Sequence, residues 1–392
     1  MTEATDILII GGGVMGASIA YHLVQQGSGR VVLLEQHALG TGTTGRSGAI
    51  VRQHYSNDFT IRMAKESLSV FEHFNELVGG ECGFVTTGML VLVDASGEDA
   101  LRANVVMQQE QGVNTRIISP TDIGEVAPEY SAINVTLACY EPNAGVADPM
   151  ATTYCFAQRA RDFGAILHEG ITVERILTSK GRVTGVETSQ GSFWAPVVIL
   201  AANVWSPALS HDIGIELPIL ATRHPMLILR RPNDLGGRKG MHAVCLDMTR
   251  YIYLRPDIGG TTLVGSTEDI LIASDPDNYT QSLMEDEITY LRTQAKGSLP
   301  ALARAVPRGT WAGLYDDTPD YHPILGKLPA YEGLYCAAGF SGHGFKLSPI
   351  VGRWMAQFIT TGEEPDDMRH FAYERFTQGK EIRPRYASGV LG

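Results

Sequence analysis

The sequence predicts an α/β domain interrupted by insertions that form a second, mixed and mainly antiparallel β domain. Three observations lead there. Short continuous apolar runs, the mark of strands buried on both faces, stand near both ends of the chain and at its middle. The first run leads through a glycine turn into a helical pattern and a second run, a strand–helix–strand unit of about thirty residues. Alternating strand patterns fill the stretches between. The 392 residues give length for about two domains, each able to bury a core.

The elements follow in order. Residues 6–10 (DILII) read as a buried parallel strand. Residues 14–26 read as a helix with a small-residue face at Gly16, Ala17 and Ala20, and residues 30–35 (RVVLLE) as the next strand. Residues 59–78 are helical by period: Ile61, Ala64, Leu68, Phe71 and Phe74 share one stripe. Residues 84–93 suit a strand and 98–111 a helix. Asp148-Pro149 opens a further helix to residue 163, with Asp as N-cap and Pro at the first helical position. Residues 172–201 turn to strands, with Lys180-Gly181 as the turn of a small antiparallel meander and VVILA as another buried strand. Residues 217–314 read as antiparallel strands around a helix at 280–296. Leu334–Ala338 is a short strand, 339–344 is glycine-rich, and a last helix is expected from Ser348-Pro349 to Thr361.

Composition excludes several classes. An apolar content of 44% is too high for a disordered chain. With 31 basic and 43 acidic residues the net charge is −12, without the basic footprint that nucleic-acid binding needs. Five cysteines, odd in number, widely spaced and without a CxxC pair, speak against a disulfide scaffold or a structural zinc site. Reduced thiols, a cytoplasmic location and no metal are the expectation. Residues 7–29 carry no Asp, Glu, Lys or Arg, but the flank is acidic (Glu3, Asp6) and four glycines interrupt the run; neither a signal peptide nor a membrane span is expected.

Gly11-x-Gly13-x-x-Gly16 follows a strand and opens a helix. In that context the first glycine makes the tight turn, the second lets a pyrophosphate approach the backbone, and the third lets helix and strand pack closely. Phosphates then sit at the helix N-terminus. Glu35 stands 19 residues after Gly16, where a carboxylate binds ribose hydroxyls and repels a 2′-phosphate. The motif predicts a dinucleotide, disfavours NADP and does not separate FAD from NAD. The stretch GTGTTGRSGAIVR, residues 40–52, offers many backbone N–H groups to a second half of such a cofactor.

The order DILIIGGGVMG, VVLLEQ, TTGRSGAIVRQHY, VVILAAN and AAGFSGHGFKLSP resembles the D-amino-acid-oxidase-like FAD-dependent oxidoreductases, above all the branch of sarcosine oxidase, glycine oxidase and dimethylglycine dehydrogenase. The resemblance spans residues 6–378. It implies a Rossmann-like FAD-binding domain from 1–52, 148–213 and 325–378, and a substrate-binding domain from 53–147 and 214–324. It implies FAD contacts from Gly11, Gly12, Gly13, Val14, Met15 and Gly16; from Glu35 and Gln36; and from Thr43, Thr44, Gly45, Arg46 and Ser47. Val173, Ala201 and Trp205 complete the set with Gly339, Gly342, His343, Gly344, Phe345 and Lys346.

On the substrate side the resemblance implies that Arg52 and Lys346 hold a carboxylate. Such a pair of cations would set the amine-bearing carbon over the flavin. Tyr251, Tyr253 and Arg255 alternate in YIYLR and are read as sharing one strand face, with Tyr253 favoured over Tyr251 as the substrate-side tyrosine. His343 is expected at the flavin's polar edge, assisted by the positive end of the last helix. His54 and His224 are weaker candidates.

Three departures from the family pattern matter. Arg46 stands near the place where several relatives attach FAD through histidine. No cysteine precedes Thr318-Pro319-Asp320, where monomeric sarcosine oxidases attach theirs. Both imply non-covalent FAD. Residues 261–269 (TTLVGSTED) lack the lysine that activates oxygen in those oxidases, which leaves oxygen and an electron-accepting partner both open. Tyr315 and Gly342 stand near the positions of the glycine oxidase arginines. The reading is an FAD-dependent oxidation of the C–N bond of a small amino acid or N-substituted glycine, with imine hydrolysis afterwards. The alternative is a flavin-bearing subunit that passes electrons to a partner.

Overall fold

A computed structural model describes residues 2–235, 240–268, 272 and 275–383. Its centre is a six-stranded sheet in the order Ile166–Glu169, Val31–Glu35, Ile7–Ile10, Val197–Leu200, Leu334–Ala338, Ile324–Lys327. The first five run parallel and the last antiparallel. The continuous apolar runs have a plain cause: both faces are covered. Ile7, Ile9, Val31 and Leu33 pack on a helical layer that includes Val14–Gln25, Pro149–Asp162 and Gly344–Thr361. Leu8, Ile10, Val32 and Leu34 face a small sheet containing Val173–Ser179, Arg182–Thr188 and Gly191–Trp194. Asp148 caps its helix as expected, its Oδ1 accepting the Met150 and Ala151 N–H groups at 2.9 Å.

The second architecture is an eight-stranded sheet in the order Val306–Asp317, Leu220–Arg230, Thr261–Ser266, Ile252–Asp257, Val244–Asp247, Met89–Val93, Leu137–Glu141, Arg116–Ile118. All its pairs are antiparallel except Val244–Asp247 with Met89–Val93. Glu285–Ser298 covers one face through Leu291 and Ala295. The other face carries Met226, Leu246 and Tyr253.

Four boundaries differ from expectation. The last helix begins at Gly344, not at Ser348-Pro349. Pro349 lies inside it, and the Phe345 carbonyl it deprives of a backbone donor accepts Ser348 Oγ at 2.8 Å. The helix expected over 59–78 breaks at His73 into Asp58–Glu72 and Phe74–Leu77. The expected strand 84–93 is interrupted at Thr87 and Gly88, where Gly88 takes φ +72°. The helix expected from residue 280 starts at Glu285, since the Thr280 and Ser282 carbonyls just before it accept from Arg223 instead of from a helical turn.

Candidate functional site

Two cavities meet where the sheets face each other. The first, of about 450 Å³, opens at the carboxyl ends of the parallel strands and is lined there by Ile10, Leu34, Ala201 and Ala337. Its floor is backbone. Gly11 takes φ +110°, and a Cβ there would stand 2.4 Å from the Ala201 carbonyl oxygen. At Gly16 a Cβ would stand 1.9 Å from the Gly11 oxygen, so only glycine lets the helix meet the turn.

The helix Val14–Gln25 has Gly13 as N-cap, no side-chain cap and no acidic residue in its first turn. The N–H groups of its first turn and the positive dipole end therefore face this cavity. Thr44 Oγ1 accepts the Val14 N–H at 3.2 Å, tying the loop to the helix start. Glu35 lines the cavity at the end of its strand. Its Oε2 accepts the Gly12 N–H at 2.7 Å and its Oε1 the His37 N–H at 2.9 Å. Such a row of donors with a carboxylate beyond it fits a diphosphate followed by a ribose.

Most residues expected at the cofactor line this cavity. Gly11, Gly13, Val14 and Met15 do, as do Glu35, Gln36, Thr43, Thr44, Arg46 and Ser47. Val173, Ala201 and Trp205 form the far wall, and Gly342, Gly344 and Phe345 the inner end. Four lie behind the surface. Gly12 ties down Glu35, Gly16 packs on Gly11, the Gly45 N–H donates to the Gly40 carbonyl, and the Gly339 N–H donates to Asp316 Oδ2 at 2.6 Å. Arg46 turns its guanidinium to the Thr41 and Gly42 carbonyls and to Gln281. Trp205 Nε1 donates to Asp277 Oδ1 at 2.8 Å across the mouth.

The second cavity, of about 340 Å³, shares Ser47, Tyr315, Gly342 and Phe345 with the first. Arg52, Lys346, His343 and Tyr253 line it, so His343 and Lys346 belong on this side rather than along the nucleotide groove. The early helix start explains Lys346: it occupies the first turn and is buried. Burial, then the Arg52 charge, pushes its ammonium well below the usual lysine range. The Tyr55 ring carries both cations, Arg52 Cζ at 4.4 Å and Lys346 Nζ at 5.8 Å from its centroid. His343 is the N-cap residue of the helix and meets Tyr55 edge-on at 5.4 Å.

Tyr253 and Tyr251 part company. The Tyr253 hydroxyl is buried near Met226, and desolvation raises its pKa well above 10. Tyr251 precedes the strand in a turn, at φ +54°, and is 51% exposed away from both cavities. The alternation that seemed to align them begins only at Ile252. Arg255 is spent on Asp257 and the Ala147 carbonyl, and Arg223 on Glu287.

Two residues gain weight. Tyr315 lies over Gly342, where a Cβ would come within 2.3 Å of its ring, and His224 stacks on it at 3.5 Å. His224 Nε2 meets Thr222 Oγ1 at 3.0 Å, and Thr222 Oγ1 meets Asp317 Oδ2 at 2.5 Å. Burial drives His224 down to about 3, so its ring is neutral. With Asp317 ionised, Thr222 donates to it and accepts from Nε2–H, which leaves Nδ1 as an acceptor without a protein partner among the described residues. Sequence signals for these were faint: two alternate residues of a long strand and an adjacent acid pair, Asp316-Asp317. Of the lysine-free stretch 261–269, residue 269 lies outside the described residues; Ser266, Thr267 and Glu268 line the second cavity.

Dinucleotide-binding oxidoreductases are the class that a glycine turn at the carboxyl edge of a parallel sheet, joined to a second cavity with cations, defines. The chain belongs to the FAD dependent oxidoreductase family, whose model matches residues 6–358, and its cofactor is FAD. It is 28% identical to 4-methylaminobutanoate oxidase (formaldehyde-forming) of Paenarthrobacter nicotinovorans, over 94% of this chain and 45% of that one. It is 26% identical to mitochondrial sarcosine dehydrogenase of Homo sapiens, over 98% and 43%. The chain thus spans less than half the length of these two relatives. Sarcosine oxidase subunit beta of Arthrobacter sp is 29% identical over 99% of this chain and 95% of that one. Among solved structures, L-proline dehydrogenase from P. horikoshii superposes with a TM-score of 0.90 at 28% identity, covering 97% of this chain and 100% of that one. Among the described residues no helix is long and apolar enough to cross a membrane.

Proposed function

We propose that the chain oxidises the C–N bond of a small carboxylate-bearing amine, a secondary amino acid of the N-substituted glycine or cyclic imino-acid kind. The observation that carries this reading is the pair Arg52 and Lys346, two cations over one tyrosine ring in a buried cavity that opens onto the nucleotide groove. FAD supplies the acceptor for the hydride that leaves the amine-bearing carbon.

The chain's own residues bind, orient and dehydrate. Glu35 holds the adenosine ribose and the first turn of Val14–Gln25 the diphosphate. Neither loop 43–47 nor the segment before Thr318 offers a cysteine or histidine to the flavin, so attachment is non-covalent. Arg52 and Lys346 clamp the carboxylate, and Tyr253 closes the cavity over the substrate. His224 Nδ1 accepts a hydrogen bond from the amine, which must be neutral to give up hydride. His343 stands beside Lys346 and shapes that wall. In this reading residues 1–52, 148–213 and 325–378 serve the cofactor, and 53–147 and 214–324 serve the substrate.

A second reading, a flavin-bearing subunit that hands electrons to a partner protein, draws support from the likeness to sarcosine oxidase subunit beta along 95% of that chain. Anaerobic mixing with sarcosine, proline, glycine and their decarboxylated analogues tests the first reading. Flavin bleaching by a carboxylated secondary amine, and not by its decarboxylated analogue, is expected; bleaching by the amine alone would overturn the clamp. Admitting air afterwards separates the two readings: slow reoxidation favours a partner protein.

A further inference from the structure

A carboxylate stands behind the clamp that substrate binding as described does not use. Glu141, the last residue of Leu137–Glu141, is fully buried. Its Oε1 accepts the Gln53 N–H at 2.9 Å, one residue beyond Arg52. Among the described residues its Oε2 has no hydrogen-bond partner. A buried carboxylate with one bare oxygen is expensive unless a charge neutralises it or a proton sits on it.

We propose that Glu141 is the proton-exchanging counter-charge of the carboxylate site, ionised opposite Arg52 when the site is empty and protonated on Oε2 when a ligand carboxylate takes over Arg52. The inference rests on the carboxylate reading of the second cavity. The balance is simple. One ligand anion enters, one proton comes from solvent, no other bond changes, and the net charge around Arg52 is conserved. Two ionised carboxylates around one guanidinium in a dry pocket repel, and the one that can take a proton does so.

The neighbours support this assignment. Burial raises Glu141 to about 7, against pulls from the Gln53 and His54 backbone N–H groups and from Arg52, so either state is within reach near neutral pH. The other titratable groups around it are poor substitutes. His54 is driven down to about 3 and stays neutral. Cys139, on the same strand, and Tyr55 are both pushed up by burial. Gln108, from the helix Glu98–Glu110, is neutral and donates to the Tyr55 carbonyl at 3.2 Å. Lys346 is the one rival: burial and the Arg52 charge disfavour its ammonium, and an arriving anion favours it.

The test uses the FAD-loaded protein and isobutyrate, a carboxylate with no amine to oxidise. Flavin absorbance gives the Kd from pH 6 to 9, and calorimetry in two buffers of different ionisation enthalpy gives protons taken up. In the wild type the Kd should weaken by about tenfold per pH unit above neutrality. Glu141→Gln should remove most of that slope, bind at least as tightly at pH 8, and lower the uptake; Glu141→Asp should restore the uptake. Lys346→Met, if it still binds, should keep the Glu141 share. An unchanged slope and uptake in Glu141→Gln would overturn the proposal and leave the clamp standing. Isobutyrate that fails to perturb the wild-type flavin at any pH would overturn the carboxylate reading and this inference with it. Should Glu141→Gln fold poorly, the wild type still decides. A protonated-carboxyl C=O band must appear in the ligand-minus-free infrared spectrum and be absent when no ligand is added; no such band contradicts the proposal.

Discussion

The nucleotide groove and the amine cavity adjoin, yet they are made in different ways. The groove takes its shape from backbone: a turn at Gly11, a helix start at Gly13 with no side-chain cap of its own, and strand ends at Ile10, Leu34 and Ala201. The amine cavity takes its chemistry from side chains far apart in sequence: Arg52, His224, Tyr253, Tyr315 and Lys346. A backbone site tolerates little change where two chains touch. A side-chain site can be retuned one residue at a time, which suits a family whose relatives carry different substrates in their names.

The largest expected effect lies in the groove. Gly16→Ala puts a Cβ against the Gly11 oxygen, which belongs to backbone and cannot swing aside. Purified protein should be colourless or fail to fold; full flavin content would show that the turn is softer than its packing implies. In the amine cavity a single side chain should cost rate and leave the cofactor in place. His224→Asn should slow anaerobic flavin reduction by about 10-fold, the cost of about 1–1.5 kcal/mol of one lost hydrogen bond. Because the ring is neutral well below pH 5, the variant should lower the pH profile without moving its limbs. A shifted limb would mean that His224 titrates in the working range.

Much of the groove was legible because its signals are local. A glycine spacing, a strand before it and an acid 19 residues after Gly16 define it within thirty residues. The meander at 172–201 and the capped helix at Asp148 were legible for the same reason. The strand Ile166–Glu169 at the sheet edge was not, since its half-exposed side chains break the apolar run. In the amine cavity Arg52 and Lys346 came from family resemblance, and Tyr253 from that resemblance together with the alternation in YIYLR. Tyr315 and His224 meet only when Leu220–Arg230 pairs with Val306–Asp317, and register across some ninety residues leaves no mark in either segment. Tyr251 misled because alternation does not say where a strand begins.

Smaller effects sharpen the contrast. Glu35→Ala loses hydrogen bonds to a charged group, about 1.5–3 kcal/mol, or about 10- to 150-fold in FAD affinity. Substrate affinity of the reconstituted protein should be unchanged; an altered substrate Kd would break the separation of the two regions. The mildest test is acid. His22 is lowered to about 4 and His54, His224 and His242 to about 3, all by burial. Folded pKa values below the unfolded 6.5 mean that the unfolded chain binds more protons, so this stability is complete above pH 6.5 and is lost as pH falls toward 3. Glu141 and Asp316, both raised to about 7, act in the opposite sense and offset part of it. Four imidazoles outweigh two carboxyls. The apoprotein Tm should therefore fall between pH 6.5 and 4, and a Tm that rises on acidification would contradict the burial assigned to these rings.

The central claim is that the amine cavity grips a carboxylate through Lys346 and Arg52. The direct measurement is kcat/KM for a carboxylated secondary amine divided by that for its methyl ester, in wild type and Lys346→Met. Removing one partner of a buried charge pair costs about 2–5 kcal/mol, which is roughly 30- to several-thousand-fold. The ratio should collapse by that factor while FAD content and the ester's kcat/KM stay near wild type. A ratio unchanged in Lys346→Met would contradict the account and move the carboxylate site away from this helix.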